Sequence, residues 1–453
     1  MKFGESNILP PTYRANVVKP VMRHLAAGDS SSIVGIGSVG KSNLLRFFRR
    51  EDVRREYLGD AWTSYLFVYV DINKILKQSH WGLLELMLHQ LLTELTSRGT
   101  EDVVLKAIDD LHQRATTLET RFLALRYLDR AIGIVCNQLK LKLVFLIDEF
   151  DDLCRTMSVR GFAALRALRD ENKYRLMYVV ATRLELKRLR EDVSEIEAFE
   201  ELVVPQTIWL GPYAKDDADY MVHRLGSRYD EPLDDKMRLQ VLKATGGHPG
   251  LLREGYGVAR ENGSGFFDVL TRSPRVQNEC QRLWLSLPSD EQKIMISLAN
   301  NNPIPSDQRR VLERLQRKGL VGGPWSEPDE IFSALFTHYI KQQQGTVKTH
   351  IVVDHTRHSV WVDGRKVSRL TPLEFKLISY LDEKRGQTCS RDDLARYLYP
   401  EDMSLDGDGV ADNRLDSVVK RLRKRIEPDP KNPRYIVTDR GHGFCLDDKA
   451  ADK

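Results

Sequence analysis

Cysteine is sparse in this chain, and long apolar runs are missing. Five cysteines (Cys136, Cys154, Cys280, Cys389 and Cys445) are scattered over 453 residues, a spacing that fits neither a disulfide framework nor a paired-cysteine zinc site. They read as reduced thiols. No apolar stretch approaches the roughly 20 residues that cross a bilayer, so no membrane partner is expected. The opening MKFGESNILPPTYR has no apolar core of a secretory signal, which leads to the expectation of a cytoplasmic protein. The net charge of +4 is small and does not by itself point to nucleic acid. Its distribution is uneven: basic residues crowd between Arg414 and Arg425, with Asp416 the one acidic residue among them. Neither an internal repeat nor a low-complexity tract is present.

What the chain does contain is alternation. At 453 residues it exceeds a single hydrophobic core, so several domains are expected. Five short apolar segments (Ser32 to Ile36, Tyr65 to Val70, Leu143 to Ile147, Leu176 to Ala181 and Thr207 to Leu210) read as parallel strands covered on both faces. Between them, WGLLELMLHQLLTELTSRG sets Leu84, Met87, Leu88, Leu91, Leu92 and Leu95 at helical spacing and stops at Gly99. Strand and helix in turn give a doubly covered α/β sheet. From Gly211 to about Gly265 two short helices are expected, the second ending at a glycine pair. Ser289, with Gln292 three residues on, has capping-box spacing. The helix it begins, a second helix DQRRVLERLQRKG and a hairpin-like GLVGGPWSEPDEIFSAL outline a winged helix. After a polar linker, KQQQGTVKTH, an alternating segment turns at Asp363-Gly364. Thr371-Pro-Leu-Glu374 combines an N-cap, proline at the first helical position and a capping glutamate. Ser390 with Asp393 starts another helix in the same style. A basic helix from about Asp412 to Ile426 follows, then two short strands around Arg440-Gly-His-Gly443.

Three motifs carry chemistry. Gly35-Ile-Gly-Ser-Val-Gly-Lys-Ser42 is a phosphate-loop pattern between a strand and a helix. Its backbone N–H groups, from Gly35, Gly37, Ser38 and Gly40 through Asn43, can surround phosphate oxygens at a helix N-terminus. Lys41 reaches the β and γ phosphates and the Ser42 hydroxyl binds Mg²⁺. In LVFLIDEFDDL an apolar strand ends in two carboxylates: Asp148 suits the Mg²⁺ shell, and Glu149 is placed to activate a water. The fourth strand, LMYVVATR, ends in Thr182-Arg183, where ligands of parallel sheets bind. Arg183 there either meets a phosphate or serves an ordinary ion pair.

The set GIGSVGKS, LVFLIDE, VVATR and TGGHPGLL resembles the STAND class of P-loop NTPases, close to the AAA+ and archaeal-type ATPases, over about residues 10 to 345. The resemblance implies ATP or ADP with Mg²⁺, a helical lid whose Gly247-His248-Pro249 turn meets the nucleotide through Pro249, a winged helix over the site, and Arg183 as the γ-phosphate sensor. It implies a switch that rests with ADP and opens and assembles with ATP. Many members carry a histidine near the end of that winged helix; here the matching position is Ser333, with His338 displaced. Residues 350 to 447 resemble the OmpR/PhoB-type winged helix through LTPLEFKLISYL, NRLDSVVKRLRKRIE and YIVTDRGHGFCL. That implies a recognition helix in the major groove of double-stranded DNA, with Arg414, Ser417, Lys420, Arg421 and Lys424 facing it and Arg440 and His442 in the wing. Leu415, Val418, Val419, Leu422 and Ile426 would form its core face, which leaves an exposed basic face whether or not DNA binds.

The expected fold is multidomain α/β. A P-loop NTPase sheet (1–210) is followed by a helical lid (211–272), a winged helix (273–345) and the OmpR/PhoB-like winged helix (346–453). The expected function is a slowly hydrolysing ATP switch, with Lys41, Asp148 and Glu149 catalytic, that controls a DNA-binding transcription regulator through nucleotide-dependent homo-oligomerisation and an unidentified inducer. The alternative is an origin-recognition-like ATPase that loads on or remodels DNA.

Overall fold

The computed structural model describes residues 8–75, 79–117, 123–190, 192–261, 266–343, 351–355, 359–362, 365–367, 370–399, 408–427, 429–430, 432–439 and 442–446. The chain divides into two compact units, residues 1–286 with 301–337, and residues 287–300 with 338–453. Among the described residues no helix is long and apolar enough to cross a membrane.

The first unit is built on the five expected strands: β1 (Ser31–Gly35), β2 (Tyr65–Asp71), β3 (Lys142–Asp148), β4 (Leu176–Thr182) and β5 (Thr207–Leu210). Their order is β2-β3-β4-β1-β5 and every pairing is parallel. β1 and β4 are buried throughout, which is why these segments read as continuous apolar runs and not as alternation. The helix His80–Ser97 buries Leu84, Met87, Leu88, Leu91 and Leu95, each worth about 1.5–3 kcal/mol relative to exposure. Ser79 caps its start by accepting from Gly82 N–H, and Gly99, at φ 73°, follows its end. The consequence for function is topological. Placing β1 between β4 and β5 brings the loop after β1 beside the carboxyl ends of β3 and β4.

Between Gly211 and Gly265, where two helices were expected, three stand: Lys215–Tyr229, Asp235–Thr245 and Pro249–Glu261, with Phe266–Arg272 beyond them. The third was hidden by its glycines, Gly250, Gly255 and Gly257, which weaken any helical signal. Gly246, at φ 60°, turns the chain between the second and third helices; a Cβ there would lie 2.1 Å from the Phe332 carbonyl. Beyond it come helices Pro274–Leu285 and Arg309–Arg317, and between them Ser289–Ala299, which belongs to the second unit. The expected hairpin is held by a bridge between Val321 and Ile331. Ser289 is not the N-cap that its spacing suggested. Pro288 occupies that position, without a side-chain cap, and Ser289 is already helical.

In the second unit, β6 (Ile351–Asp354), β7 (Ser359–Val362) and β8 (Arg365–Lys366) form an antiparallel sheet. The Asp363-Gly364 turn and residues 344–350 of the linker lie outside the described residues. Helices Pro372–Glu383, Arg391–Leu398 and Asp408–Ile426 follow, the last starting about a turn earlier than the sequence indicated. β10 (Ile436–Asp439) and β11 (Gly443–Leu446) pair as expected, and β9 (Cys389–Ser390) adds a third strand that two residues could not announce. Thr371 and Glu374 form the reciprocal capping box, and Ser390 accepts from Asp393 N–H. Replacing Thr371 by Ala should destabilise this unit by about 1 kcal/mol. Urea titration of the full chain checks this; an unchanged midpoint would mean that the cap contributes nothing.

Candidate functional site

At the end of β1 the chain turns through residues 36–40 into helix Lys41–Phe48. Ser38 and Gly40 take left-handed φ values of 56° and 99°, the alternation that turns successive N–H groups toward one concavity. The Lys41 side chain is buried, and its Nζ donates to the Gly35 and Ile36 carbonyls at 2.8 and 3.2 Å. Burial lowers its pKa, opposed by the carboxylates of Glu149, Asp151 and Asp148. A left-handed loop, a helix N-terminus and a buried ammonium together fit a phosphate-bearing nucleotide. Ser42 is half-buried in the first turn of the helix, and Asn43 is exposed.

The strand ends beside the loop bring Asp148, Glu149 and Arg183 together. Asp148 is buried; its Oδ2 accepts from the Tyr69 hydroxyl at 2.6 Å and its Oδ1 from Glu149 N–H at 3.0 Å. Tyr69 comes from β2, two residues before Asp71, which is in register with Asp148. Burial, then the hydrogen bond to Asp148, raises the Tyr69 pKa and keeps the phenol protonated as a donor. An anionic oxygen pair at a strand end, its geometry fixed by two donors, fits a role around a hard cation. Glu149 has φ 53°, and its Oε2 accepts from Arg183 Nη2 at 2.7 Å. Of the two alternatives for Arg183, the structure shows the ion pair: directly after β4, its guanidinium is paired with the Glu149 carboxylate. Burial lowers the Arg183 pKa, but the Glu149 and Asp151 carboxylates outweigh it and the net shift is upward. Asp151 is buried and accepts Arg183 N–H at 2.9 and 3.1 Å and Leu184 N–H at 3.4 Å. Burial raises its pKa, opposed first by Arg183.

Several of these groups escaped the sequence. Pro249 is half-buried at the start of its helix, and the group that touches the phosphate loop is its neighbour His248, with Nε2 3.2 Å from the Gly37 carbonyl oxygen. Arg14 reaches the Val39 carbonyl at 3.1 Å from the N-terminal segment. Arg14 had no motif, and the Gly247-His248-Pro249 turn was expected to act through Pro249; both side chains act through contacts distant in the chain. Ser333 is buried, donating to the Ala244 carbonyl at 2.8 Å and accepting from Phe336 N–H at 3.2 Å.

In the second unit, helix Asp408–Ile426 buries Leu415, Val418, Val419, Leu422 and Ile426 as expected and exposes Arg414, Ser417, Lys420, Arg421 and Lys424. The exposed set recurs every three or four residues, so it shares one helix face. Arg414 lies over the Tyr399 ring at 4.4 Å. The buried Glu374 carboxylate draws in Arg425 at 3.1 Å and Arg421 at 3.7 Å. Arg423 belongs to the fold: its guanidinium donates to the Ile436 carbonyl at 3.0 Å and the Thr438 hydroxyl at 2.7 Å. His442 is exposed, its Nδ1 3.5 Å from Asp439. Arg440 lies outside the described residues.

Residues 364–446 match the family model "Transcriptional regulatory protein, C terminal". The chain is similar to the transcriptional regulatory protein AfsQ1 of Streptomyces coelicolor, 36% identical over 98 residues that make up 21% of this chain and 40% of that protein; it thus spans well under half of that relative. Among solved structures, a Walker-type ATPase of Pyrococcus abyssi is similar at TM-score 0.46 and 16% identity over 74% of this chain and all but 1% of that one (99% covered). The RstA DNA-binding domain of Klebsiella pneumoniae, in complex with the RstA box, is similar at TM-score 0.20 and 26% identity over 22% of this chain and 93% of that one. The chain thus joins a five-stranded parallel sheet to a C-terminal stretch that matches a transcriptional-regulator family model.

Asp151→Asn would set an amide against the N–H groups of Arg183 and Leu184. It should destabilise the first unit by about 1–3 kcal/mol, measured by thermal or chemical denaturation; an unaffected transition would mean that the carboxylate is dispensable there.

Proposed function

We propose that this chain is a nucleotide-controlled, DNA-binding regulator of transcription, a STAND-type switch that binds and slowly hydrolyses ATP. The observation that carries it is the meeting of Lys41, Asp148, Glu149 and Arg183 at the carboxyl edge of one sheet, in a chain whose residues 364–446 match a transcriptional-regulator domain. The proposed division is an NTPase domain (1–210), a lid (211–272), a winged helix (273–345) and a DNA-binding domain (346–453).

In this account Lys41 exchanges the Gly35 and Ile36 carbonyls for β and γ phosphate oxygens, while N–H groups from Gly35 through Asn43 line the loop. Pro249 closes the lid side. Ser42 and Asp148 would hold Mg²⁺, which offsets phosphate charge and orients the phosphoryl oxygens. Arg183 turns to the γ phosphate and so releases Glu149, whose carboxylate then orients a water and takes its proton. Glu149 is thereby inactive as a base until a γ phosphate competes for its arginine. The switch needs ATP to favour the open, assembling form over ADP by only a few kcal/mol. Assembly would present several copies of the helix Asp408–Ile426 to the major groove at once, raising effective concentration without new contacts. Arg414, Ser417, Lys420, Arg421 and Lys424 would meet the DNA, with Arg440 and His442 reaching the adjacent backbone.

Three measurements on the full chain test this. DNA retention and particle mass should both rise with ATP over ADP, and Lys41→Ala should abolish the difference; equal behaviour in all nucleotide states would sink the switch. Glu149→Gln should slow hydrolysis by about 10²–10⁴-fold with ATP binding retained. Lys420→Ala should weaken DNA binding and make the log–log salt slope shallower by about 0.9; an unchanged slope would remove that residue from the phosphate contacts.

A further inference from the structure

Two side chains from outside the sheet grip the phosphate loop by its carbonyl oxygens. His248, wholly buried between the left-handed Gly247 and Pro249, has Nε2 3.2 Å from Gly37 O. Its other nitrogen, Nδ1, lies 3.3 Å from Leu251 N–H and accepts from it. That assigns the tautomer: the single ring proton is on Nε2, and it is donated to Gly37. Burial lowers the His248 pKa to about 3, with the Gly37 hydrogen bond opposing, so the ring stays neutral. Arg14 supplies the second grip. Its Nη2 donates to Val39 O at 3.1 Å and its Nη1 to Gly211 O at 2.9 Å, while the guanidinium lies 4.3 Å from the Tyr213 ring centroid.

These two carbonyls are not arbitrary ones. Peptide bonds here are trans throughout the described residues, and a trans peptide directs its C=O and N–H to opposite sides. A Gly37 carbonyl held toward His248 therefore turns Ser38 N–H away from His248, and a Val39 carbonyl held toward Arg14 turns Gly40 N–H away from Arg14. Ser38 and Gly40 are the two loop residues with left-handed φ, the positions where a peptide flip would most readily exchange N–H for C=O. A flipped peptide would present an oxygen to an anionic ligand.

We propose that His248 and Arg14 are positioning residues that hold Ser38 and Gly40 N–H groups turned into the phosphate loop and thereby set its affinity for phosphate. This rests on the nucleotide-binding function proposed above. The grip extends to the lid, because His248 sits between two lid helices. Lid position and phosphate affinity are then one property, and neither residue touches the ligand.

Binding of a fluorescent ADP to the full-length protein, with displacement by pyrophosphate and by adenosine, separates the cases. His248→Ala should weaken ADP and pyrophosphate about tenfold and leave displacement by adenosine within about twofold. His248→Gln, which keeps an N–H donor near the Nε2 position, should recover most of the loss. Arg14→Ala supplies an independent arm if His248→Ala fails to fold, with the same bias against pyrophosphate. Unchanged ADP and pyrophosphate binding in the variants would overturn the positioning role, as would equal losses for adenosine. Wild-type protein that binds no ADP would instead overturn the nucleotide-binding function itself.

Discussion

The ammonium of Lys41, enclosed beneath the phosphate loop, sets the terms for the whole carboxyl edge of the sheet. A cation taken from water needs dipoles or opposite charge nearby. Here the Gly35 and Ile36 carbonyls meet it directly, and the Glu149, Asp151 and Asp148 carboxylates stabilise its charge against burial. Those carboxylates need partners in turn, and each finds a different one. Asp148 takes the Tyr69 hydroxyl, Glu149 takes the Arg183 guanidinium, and Asp151 takes the backbone N–H groups after β4. The resulting array of alternating charge is sensitive to any ligand that brings anionic oxygens to Lys41 and Arg183.

Much of this was legible in sequence because the phosphate loop, the Asp148-Glu149 pair and Arg183 each follow a short apolar strand. Strand burial on both faces explains why those strands stood out. What escaped were partners supplied from a distance. Tyr69 is an aromatic in an apolar run, Arg14 one arginine among many, and His248 a residue between a glycine and a proline. Their roles arise from the strand order and from the turn before helix Pro249–Glu261, which bring segments over 200 residues apart into contact, as for His248 and Gly37. The glycine-bearing helix Pro249–Glu261 was missed for a local reason: its intrinsic propensity is poor, and packing of Leu251, Leu252 and Tyr256 determines its state. Ser289 shows the opposite failure, a correct cap spacing placed one residue inside the helix.

The C-terminal unit separates charges that composition alone presents as one basic run. Arg423 is spent on the hairpin backbone, and Arg425 and Arg421 lie against the buried Glu374. Glu374 also accepts from Thr371 N–H in the capping box, so one carboxylate both starts its helix and orients arginines of another. Lys420, Arg421 and Lys424 stand on the exposed face with Arg414 and Ser417. This division follows from helix geometry: a core face of Leu415, Val418, Val419, Leu422 and Ile426 leaves only part of the circumference for DNA.

The central claim is that nucleotide at the sheet and DNA at the C-terminal helix are energetically coupled. Thermodynamic linkage requires any such coupling to be reciprocal. The most direct measurement is the ratio of ATP to ADP affinity in the full-length protein, with and without a saturating DNA fragment that it binds, at one salt concentration. Coupling by a typical 1–3 kcal/mol predicts that DNA raises this ratio by about 5–150-fold. A ratio that DNA leaves unchanged would show that the two sites share a chain but not a switch, and would contradict the account.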